Sequence, residues 1–383
     1  MKIGIIGSGA MGSGIAQIAA QSGHEVVIID KSDSALNKAS SNLKSLFEKL
    51  VSKGKIDSSQ SELIIGRITF SSDIKNLIDS GLVIEAIIEQ LEVKKAVFEE
   101  LDKLLPDAIL ASNTSSLSIA SIASACSKPE RVIGLHFFNP APLMPLVEII
   151  PAVQTAQGLA ADMYRLMESW GKMPVIAKDT PGFIVNRVAR PFYGEALRIF
   201  EEGLAEKSEI DATMKIKGGF KMGPFELMDF IGNDVNYAVT ESVFNSFYYE
   251  ARYKPSLSQK RLVEAGWLGK KSSKGHYDYS IEQEPVNTIA NEVQSEAILQ
   301  RILAMLINEA VDALYLNIAH RDDIDLAMTK GVNYPKGLLL WADEKGASHW
   351  VQVLDSLHEE YREERYRCSP LLRRMAKSGL KFY

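Results

Sequence analysis

The sequence predicts an α/β doubly wound parallel sheet followed by two all-α domains. Three observations carry this. Short apolar runs alternate with helical stretches through the first half of the chain. A glycine-rich turn joins the first such run to the first helical stretch. Beyond residue 182 the chain matches itself at an offset of 114. With 383 residues it exceeds one ordinary core, so two or three domains are expected. Hydrophobic content of 46% and charged content of 24% are those of a globular protein. A net charge of −6 argues against broad binding to nucleic-acid phosphates. The two cysteines, Cys126 and Cys368, form no CxxC or His/Cys cluster, so no disulfide framework and no metal site is expected. No signal-peptide pattern precedes Lys2, and no long uncharged apolar run would span a bilayer. The expectation is a cytoplasmic protein with no membrane partner.

The first apolar run, 2-KIGII-6, suits a buried parallel strand. It runs into 7-GSGAMG-12 and then a helical run, and the next strand, 26-VVIID-30, ends in an acid. This is GxGxxG between strand and helix, with the acid where a dinucleotide ribose needs it. Gly7 permits the tight turn, Gly9 lets the backbone approach a pyrophosphate, and Gly12 lets helix and strand pack closely. The helix N-terminus supplies N–H donors and a positive dipole end. Asp30 accepts from ribose hydroxyls and repels a 2′-phosphate, which favours NAD over NADP. Further strands follow at 82–87, 108–112 and 132–138, with helical runs such as 93–105 between them. A Rossmann-type domain over 1–181 is expected, and ligands then lie beyond the strand C-termini. Glu89, Ser115 and His136 follow or end such strands. The Lys- and Ser-rich stretch 34–56 is longer than an ordinary crossover. It reads as a solvated helical hairpin or as a positive arm for a phosphorylated substrate.

After 179-DTPGFIVNR-187 helical periodicity takes over. At the offset of 114, Arg187 pairs with Arg301, Glu195 with Glu309, Asp211 with Asp325 and Gly223 with Gly337. Arg252-Tyr253 recurs as Arg365-Tyr366 at 113. Two copies of one helical domain are expected, 182–285 and 295–383, joined by the polar stretch 280–292. The second copy is expected to end before any counterpart of 269-GKKSSKGHYDY-279, and so to be structural while the first copy is functional.

The stretch 136-HFFNPAPLMPLVE-148 holds His136 and Glu148 apart by a stiff, apolar loop. A hydride leaves a carbon only as its hydroxyl proton is removed, so a nicotinamide dehydrogenase without a metal needs a general base. His136 fits that role, and Glu148 fits the partner that fixes its tautomer and stabilises the imidazolium. Ser115 and Asn186 are candidates to donate hydrogen bonds to the substrate oxygen.

The segments NTSSLSIASIAS, GLHFFNPAP, LVEII, DTPGFIVNR and MGPFELMDFIG follow GSGAMGSGIAQ in that order. Together they resemble the L-3-hydroxyacyl-CoA dehydrogenase family, the NAD-dependent enzymes of fatty-acid β-oxidation and related pathways. The resemblance covers residues 1–280. The ending, GVNYPKG then EERYRCSPLLRRMA, is similar to the longer 3-hydroxyacyl-CoA dehydrogenases of phenylacetate degradation. It implies helical domains of the 6-phosphogluconate-dehydrogenase-like C-terminal type, and an acyl-CoA substrate of the 3-hydroxybutyryl or 3-hydroxyadipyl type. It assigns His136 as base, Glu148 as its partner, and Ser115 and Asn186 to the substrate oxygen. It places Gly7, Gly9, Met11, Gly12, Asp30, Glu89, Lys94, Ser115, Asn139 and Lys271 at the cofactor, and Lys53 on a CoA phosphate. Single-copy members dimerise through their helical domains, so here the two copies are expected to form an intrachain pseudo-dimer, with further homo-oligomerisation open.

The chain departs from the family pattern in three places. Ser273 replaces a glycine, His276 a phenylalanine, and Pro145 a lysine. His276 is expected on an exposed turn, and His24, His320, His349 and His358 are expected to be solvated. Two other readings stand beside the leading one: a crystallin-like dehydrogenase of a free small hydroxy acid, and a non-catalytic scaffold.

Overall fold

In a computed structural model, residues 1–281 and 291–383 are described, and part of the expected joining stretch 280–292 falls outside them. The chain divides into two units, Met1–Thr180 and Pro181–Tyr383.

In the first unit the strands are β1 (Lys2–Ile6), β2 (Glu25–Ile29), β3 (Ile68–Ser71), β4 (Leu82–Glu85), β5 (Ile109–Ser112), β6 (Val132–Phe137), β7 (Leu146–Pro151) and β8 (Met173–Ile176). The helices are α1 (Ala10–Gln21), α2 (Asp33–Ser52), α3 (Ser58–Gly66), α4 (Leu91–Leu104), α5 (Ile119–Ala123) and α6 (Leu159–Ser169). The sheet order is β3-β2-β1-β4-β5-β6-β7-β8. Central strands are buried along most of their length because helices cover both faces. Every pairing is parallel except β6 with β7, which corrects the all-parallel expectation. The connection 138–145 is too short for a helical crossover, which takes about a dozen residues, so β7 must return as a hairpin partner. The strands β3, β7 and β8 lie outside the sequence expectation.

The segment 34–56 forms most of a helical hairpin with α3. Ser32 caps α2 by accepting from Ala35 N, and Asp57 caps α3 in a capping box with Gln60. On α2, Leu36, Ala39, Leu43 and Phe47 recur at helical spacing and are buried, so one stripe anchors the arm while its lysines face outward.

The second unit holds α7 (Val185–Val188), α8 (Arg190–Glu201), α9 (Lys207–Ile216), α10 (Pro224–Ile231), α11 (Asn233–Ser246), α12 (Leu257–Glu264), α13 (Glu292–Tyr315), α14 (Arg321–Gly331), α15 (Leu338–Lys345), α16 (Ala347–Tyr361) and α17 (Pro370–Ser378). Helix α13 packs along α8. Residues related by the sequence offset exchange partners across that contact. Arg187 Nε donates to Glu309 at 2.5 Å, and Arg301 Nε donates to Glu195 at 3.0 Å. Tyr253 OH donates to Glu309 at 2.6 Å, and Tyr366 OH to Glu195 at 3.0 Å. Both carboxylates are buried, so each is compensated by the opposite half. Two further carboxylates repeat their roles. Asp211 accepts from Phe225 N and Glu226 N, and Asp325 from Leu339 N and Leu340 N, capping α10 and α15 alike.

The second half also contains a counterpart of the 269–279 segment, contrary to expectation. Asp229 accepts from His276 N and Tyr277 N, each at 2.9 Å; Asp343 accepts from Phe382 N and Tyr383 N, each at 2.9 Å. Tyr277 OH then reaches Asp211, and Tyr383 OH reaches Asp325. Phe382 therefore occupies the place of His276. His276 is buried rather than on an exposed turn, edge-on to the Phe225 ring at 4.9 Å. Of the four histidines expected to be solvated, His320 is exposed, whereas His24, His349 and His358 are half-buried. His24 lies beside Trp170 and His349 beside Trp350. Cys126 and Cys368 are free and buried, and burial pushes both thiols up to about 11.

Candidate active site

The glycine turn has the geometry its sequence requires. Gly7 sits at φ +103°, which a side chain would strain. A Cβ on Gly12 would lie 2.0 Å from Gly7 O, so only glycine lets α1 approach β1 this closely. A Cβ on Gly9 would meet nothing within 4 Å, which leaves the backbone open to a ligand. Met11 is half-buried and packs against the hydrophobic core. At the tip of β2, Asp30 Oδ2 accepts from Ser8 N at 2.9 Å and Ser8 Oγ at 2.7 Å, and Oδ1 accepts from Ser32 N at 3.0 Å. Burial works against the Asp30 carboxylate, but these hydrogen bonds outweigh it and hold the group below its ordinary value. Ser8 has no place in the sequence reading.

Gly9, Ser13, Gln17, Asp30, Lys38, Asn42 and Pro142 help to line a cavity of about 610 Å³ between the glycine turn and the arm. The arm residues that reach it, Lys38 and Asn42, stand four apart on α2. That spacing was a readable signal the sequence reading did not use. Lys53 is exposed at the C-terminal end of α2 and does not line the cavity.

Beyond β4 lies a network of charges. Lys94 is buried, with Nζ 2.6 Å from Glu85 and 3.3 Å from Glu89. Ser112 Oγ donates to the other Glu85 oxygen at 2.7 Å. Glu89 Oε1 accepts from Thr114 Oγ1 at 2.6 Å, Ser115 N at 2.8 Å and Ser115 Oγ at 3.2 Å. Burial opposes the Glu89 charge; Lys94 and these donors more than offset it, so the group stays below its ordinary value. Lys94 thus acts on the Ser115 loop through Glu89. Asn113 Oδ1 accepts from Phe137 N at 2.8 Å and ties that loop to the end of β6.

His136 and Glu148 are direct register partners across the antiparallel pair β6–β7. Their side chains meet with His136 Nδ1 2.6 Å from Glu148 Oε2, and both are buried. The Phe138 ring lies 4.5 Å from the imidazole. The stiff loop between them closes a hairpin, and the register does the aligning. Asn139 is exposed and precedes Pro140 through a cis peptide. Lys172, which the sequence reading missed, clamps this loop: its Nζ donates to Ala141 O at 2.6 Å and Met144 O at 2.8 Å. Burial pushes the Lys172 ammonium down to about 8. Pro145 contributes a carbonyl that accepts from Met173 N at 2.8 Å.

The first unit therefore brings together the glycine turn, Asp30, Glu89, Ser115 and His136 at or just past the C-terminal ends of β1, β2, β4, β5 and β6, with Lys94 from α4 and Glu148 from the start of the antiparallel strand β7 beside them. Asn186 stands in α7 of the second unit. Lys271, also in the second unit, pairs with Asp234 at 2.6 Å. Among the described residues no group of three His, Cys, Asp or Glu side chains is placed to hold a metal ion, and no helix is long and apolar enough to cross a membrane.

A dinucleotide-type sheet with a buried His–Glu pair on its adjacent strands β6 and β7 defines a site of the nicotinamide dehydrogenase class. Comparison with known proteins makes this specific. The family model described as 3-hydroxyacyl-CoA dehydrogenase, NAD binding domain, matches residues 2–180. The one described as 3-hydroxyacyl-CoA dehydrogenase, C-terminal domain, matches 182–279 and again 298–381. The chain belongs to the 3-hydroxyacyl-CoA dehydrogenase family. It is 40% identical to the 3-hydroxyadipyl-CoA dehydrogenase of Escherichia coli, covering 98% of this chain and 97% of that protein. It is 42% identical to a probable 3-hydroxybutyryl-CoA dehydrogenase of Deinococcus radiodurans, covering 73% of this chain and 100% of that protein. The crystal structure of an Escherichia coli 3-hydroxybutyryl-CoA dehydrogenase superimposes with a TM-score of 0.94 at 39% identity, covering 99% of both chains.

Proposed function

We propose that this chain oxidises an L-3-hydroxyacyl-CoA to the 3-ketoacyl-CoA, with His136 as general base. The observation that carries the proposal is the 2.6 Å contact between His136 Nδ1 and Glu148 in a buried pair aligned by strand register. With Nδ1 committed to Glu148, Nε2 is the nitrogen that takes the hydroxyl proton. Glu148 fixes that tautomer and stabilises the imidazolium formed as the proton arrives. In this low-dielectric setting the pair is worth more than it would be in water. Ser115, held by Glu89, and Asn186 are assigned to the substrate oxygen as it becomes a carbonyl.

The glycine turn fits NAD. Open space at Gly9 admits the pyrophosphate, and Asp30, kept charged by Ser8 and Ser32, suits a ribose without a 2′-phosphate. Bound there, NAD supplies the hydride acceptor. Glu89 and Lys94 support the wall of that site, and Asn139 and Lys271 are assigned to it by family likeness. Lys53 on the arm is assigned to a CoA phosphate. A cytoplasmic location belongs to the same proposal.

The two helical halves, 182–285 and 295–383, are proposed to form an intrachain pseudo-dimer. The reciprocal Arg187–Glu309 and Arg301–Glu195 pairs support it. Further association of whole chains would use other faces.

The test is NADH absorbance with L-3-hydroxybutyryl-CoA, L-3-hydroxyadipyl-CoA and the corresponding free acids. NADH from the thioesters but not from the free acids is expected. Oxidation of the free acids alone would favour the small-acid reading, and no NADH from any of them would favour a scaffold.

A further inference from the structure

In the second unit Arg187, Arg252, Arg301 and Arg365 all lie within ion-pair distance of Glu309 or Glu195. Arg190 is different. It opens α8 and is buried, yet among the described residues it has no ion-pair partner. Its Nη1 donates to Asn236 O at 3.3 Å and Thr240 Oγ1 at 3.1 Å, both neutral groups. The Tyr193 ring lies against the guanidinium at 4.8 Å. Arg190 Nε has no hydrogen-bond acceptor, and neither has the amide nitrogen of Asn236, a residue 2% exposed whose Oδ1 accepts from Gln259 Nε2 at 3.1 Å. Buried polar groups are almost always satisfied, so a buried cation with an orphan donor, in contact with a residue that carries a second orphan donor, calls for an explanation.

Architecture does not supply it. The offset of 114 puts Ala304 at the place of Arg190 and Trp350 at the place of Asn236, and both are fully buried. The second copy keeps the same helices without the cation or the amide. Position supplies a better account. Arg190 stands four residues past Asn186, and Ala189 between α7 and α8 keeps a right-handed helical backbone. That spacing is one turn, roughly 6 Å along the axis. The far carboxylate of a six-carbon dicarboxyl chain lies three carbons past its C3 hydroxyl, a comparable reach.

We infer that Arg190 and Asn236 form a receptor for a second carboxylate at the far end of the acyl chain. The favoured substrate class is then the CoA thioester of a 3-hydroxy dicarboxylic acid. The planar edge of a guanidinium matches the planar, two-oxygen acceptor of a carboxylate, and the unsatisfied Asn236 amide offers a further donor. The inference rests on the dehydrogenase reading and on the placement of Asn186 at the substrate oxygen.

The test compares kcat/KM for L-3-hydroxyadipyl-CoA with that for L-3-hydroxyhexanoyl-CoA, which has the same chain length but no second carboxylate. Wild type, Arg190→Met and Arg190→Lys are measured. Wild type is expected to prefer the dicarboxyl substrate. Arg190→Met is expected to lower that preference by about 100-fold, mainly through KM, and Arg190→Lys to recover part of it. A wild-type ratio near unity, or the same ratio in Arg190→Met as in wild type, overturns the inference. Should Arg190→Met fail to fold, the wild-type ratio and Arg190→Lys decide. If wild type gives no NADH with either thioester, the dehydrogenase reading itself fails; an unchanged ratio with ample NADH removes only the carboxylate receptor.

Discussion

Replacing His276 by Phe should stabilise the protein, and the gain should grow as the pH falls. Neither ring nitrogen of His276 has a hydrogen-bond partner, and burial, aided by Lys207, pushes the imidazole down from 6.5 to about 3. The second half shows that phenylalanine fits this setting, since Phe382 binds Asp343 through its backbone N–H as His276 binds Asp229. Removing two orphan ring nitrogens should yield roughly 1–3 kcal/mol at pH 7, less any cost of the larger ring. The pH term is separate. Between the folded and unfolded values the unfolded chain carries the proton and the folded chain does not, so wild-type stability falls as pH drops below 6.5. From pH 7 to pH 5 that loss is about 2 kcal/mol for a group of ordinary unfolded value. The phenylalanine variant lacks it. Urea unfolding of both proteins at pH 7 and pH 5 measures the difference. Equal pH dependence in the two would refute the burial argument, and a variant less stable at pH 7 would show that the larger ring costs more than the orphan nitrogens do.

Three further outcomes follow from the structure. Ser273 holds φ +58°, a left-handed conformation that glycine adopts freely, so Ser273→Gly should stabilise by about 0.5–1 kcal/mol in urea unfolding; a loss would contradict the strain. Glu309→Gln should cost about 3–5 kcal/mol in the same assay, because Arg187 and Arg252 would remain buried beside a neutral amide; a cost below about 1 kcal/mol would remove the reciprocal pairs from the account of stability. Asp30→Asn should narrow the preference for NAD over NADP, measured as the ratio of kcat/KM values, and an unchanged ratio would rule out Asp30 as its source.

Much of the first unit was legible because its signals are local. The glycine turn needs three glycines at fixed spacing, and each has a distinct geometric cause in the structure. His136 and Glu148 were readable as a pair, but the reason they meet was not. Their alignment comes from the antiparallel register of β6 and β7, and strand direction leaves little trace in a short apolar run such as 146–151. Lys172 was invisible because it serves backbone carbonyls, which carry no sequence identity. Arg190 and Asn236 lie 46 residues apart and declare themselves only through what they fail to bond. The second half was under-read for a different reason. Phe382 and Tyr383 answer to His276 and Tyr277 at an offset of 106, so a comparison held at 114 passes over them. Burial of His276 was hidden too, because the turn that carries it is polar while its own side chain points inward.

The central claim is that His136 removes the hydroxyl proton. Its most direct test is His136→Gln, assayed as NADH formation from an L-3-hydroxyacyl-CoA, with NAD affinity measured in parallel. The account predicts a fall in kcat of roughly 10²–10⁴ with NAD binding nearly unchanged, since the base stands on β6 and not in the glycine turn. A kcat within a few-fold of wild type would contradict it.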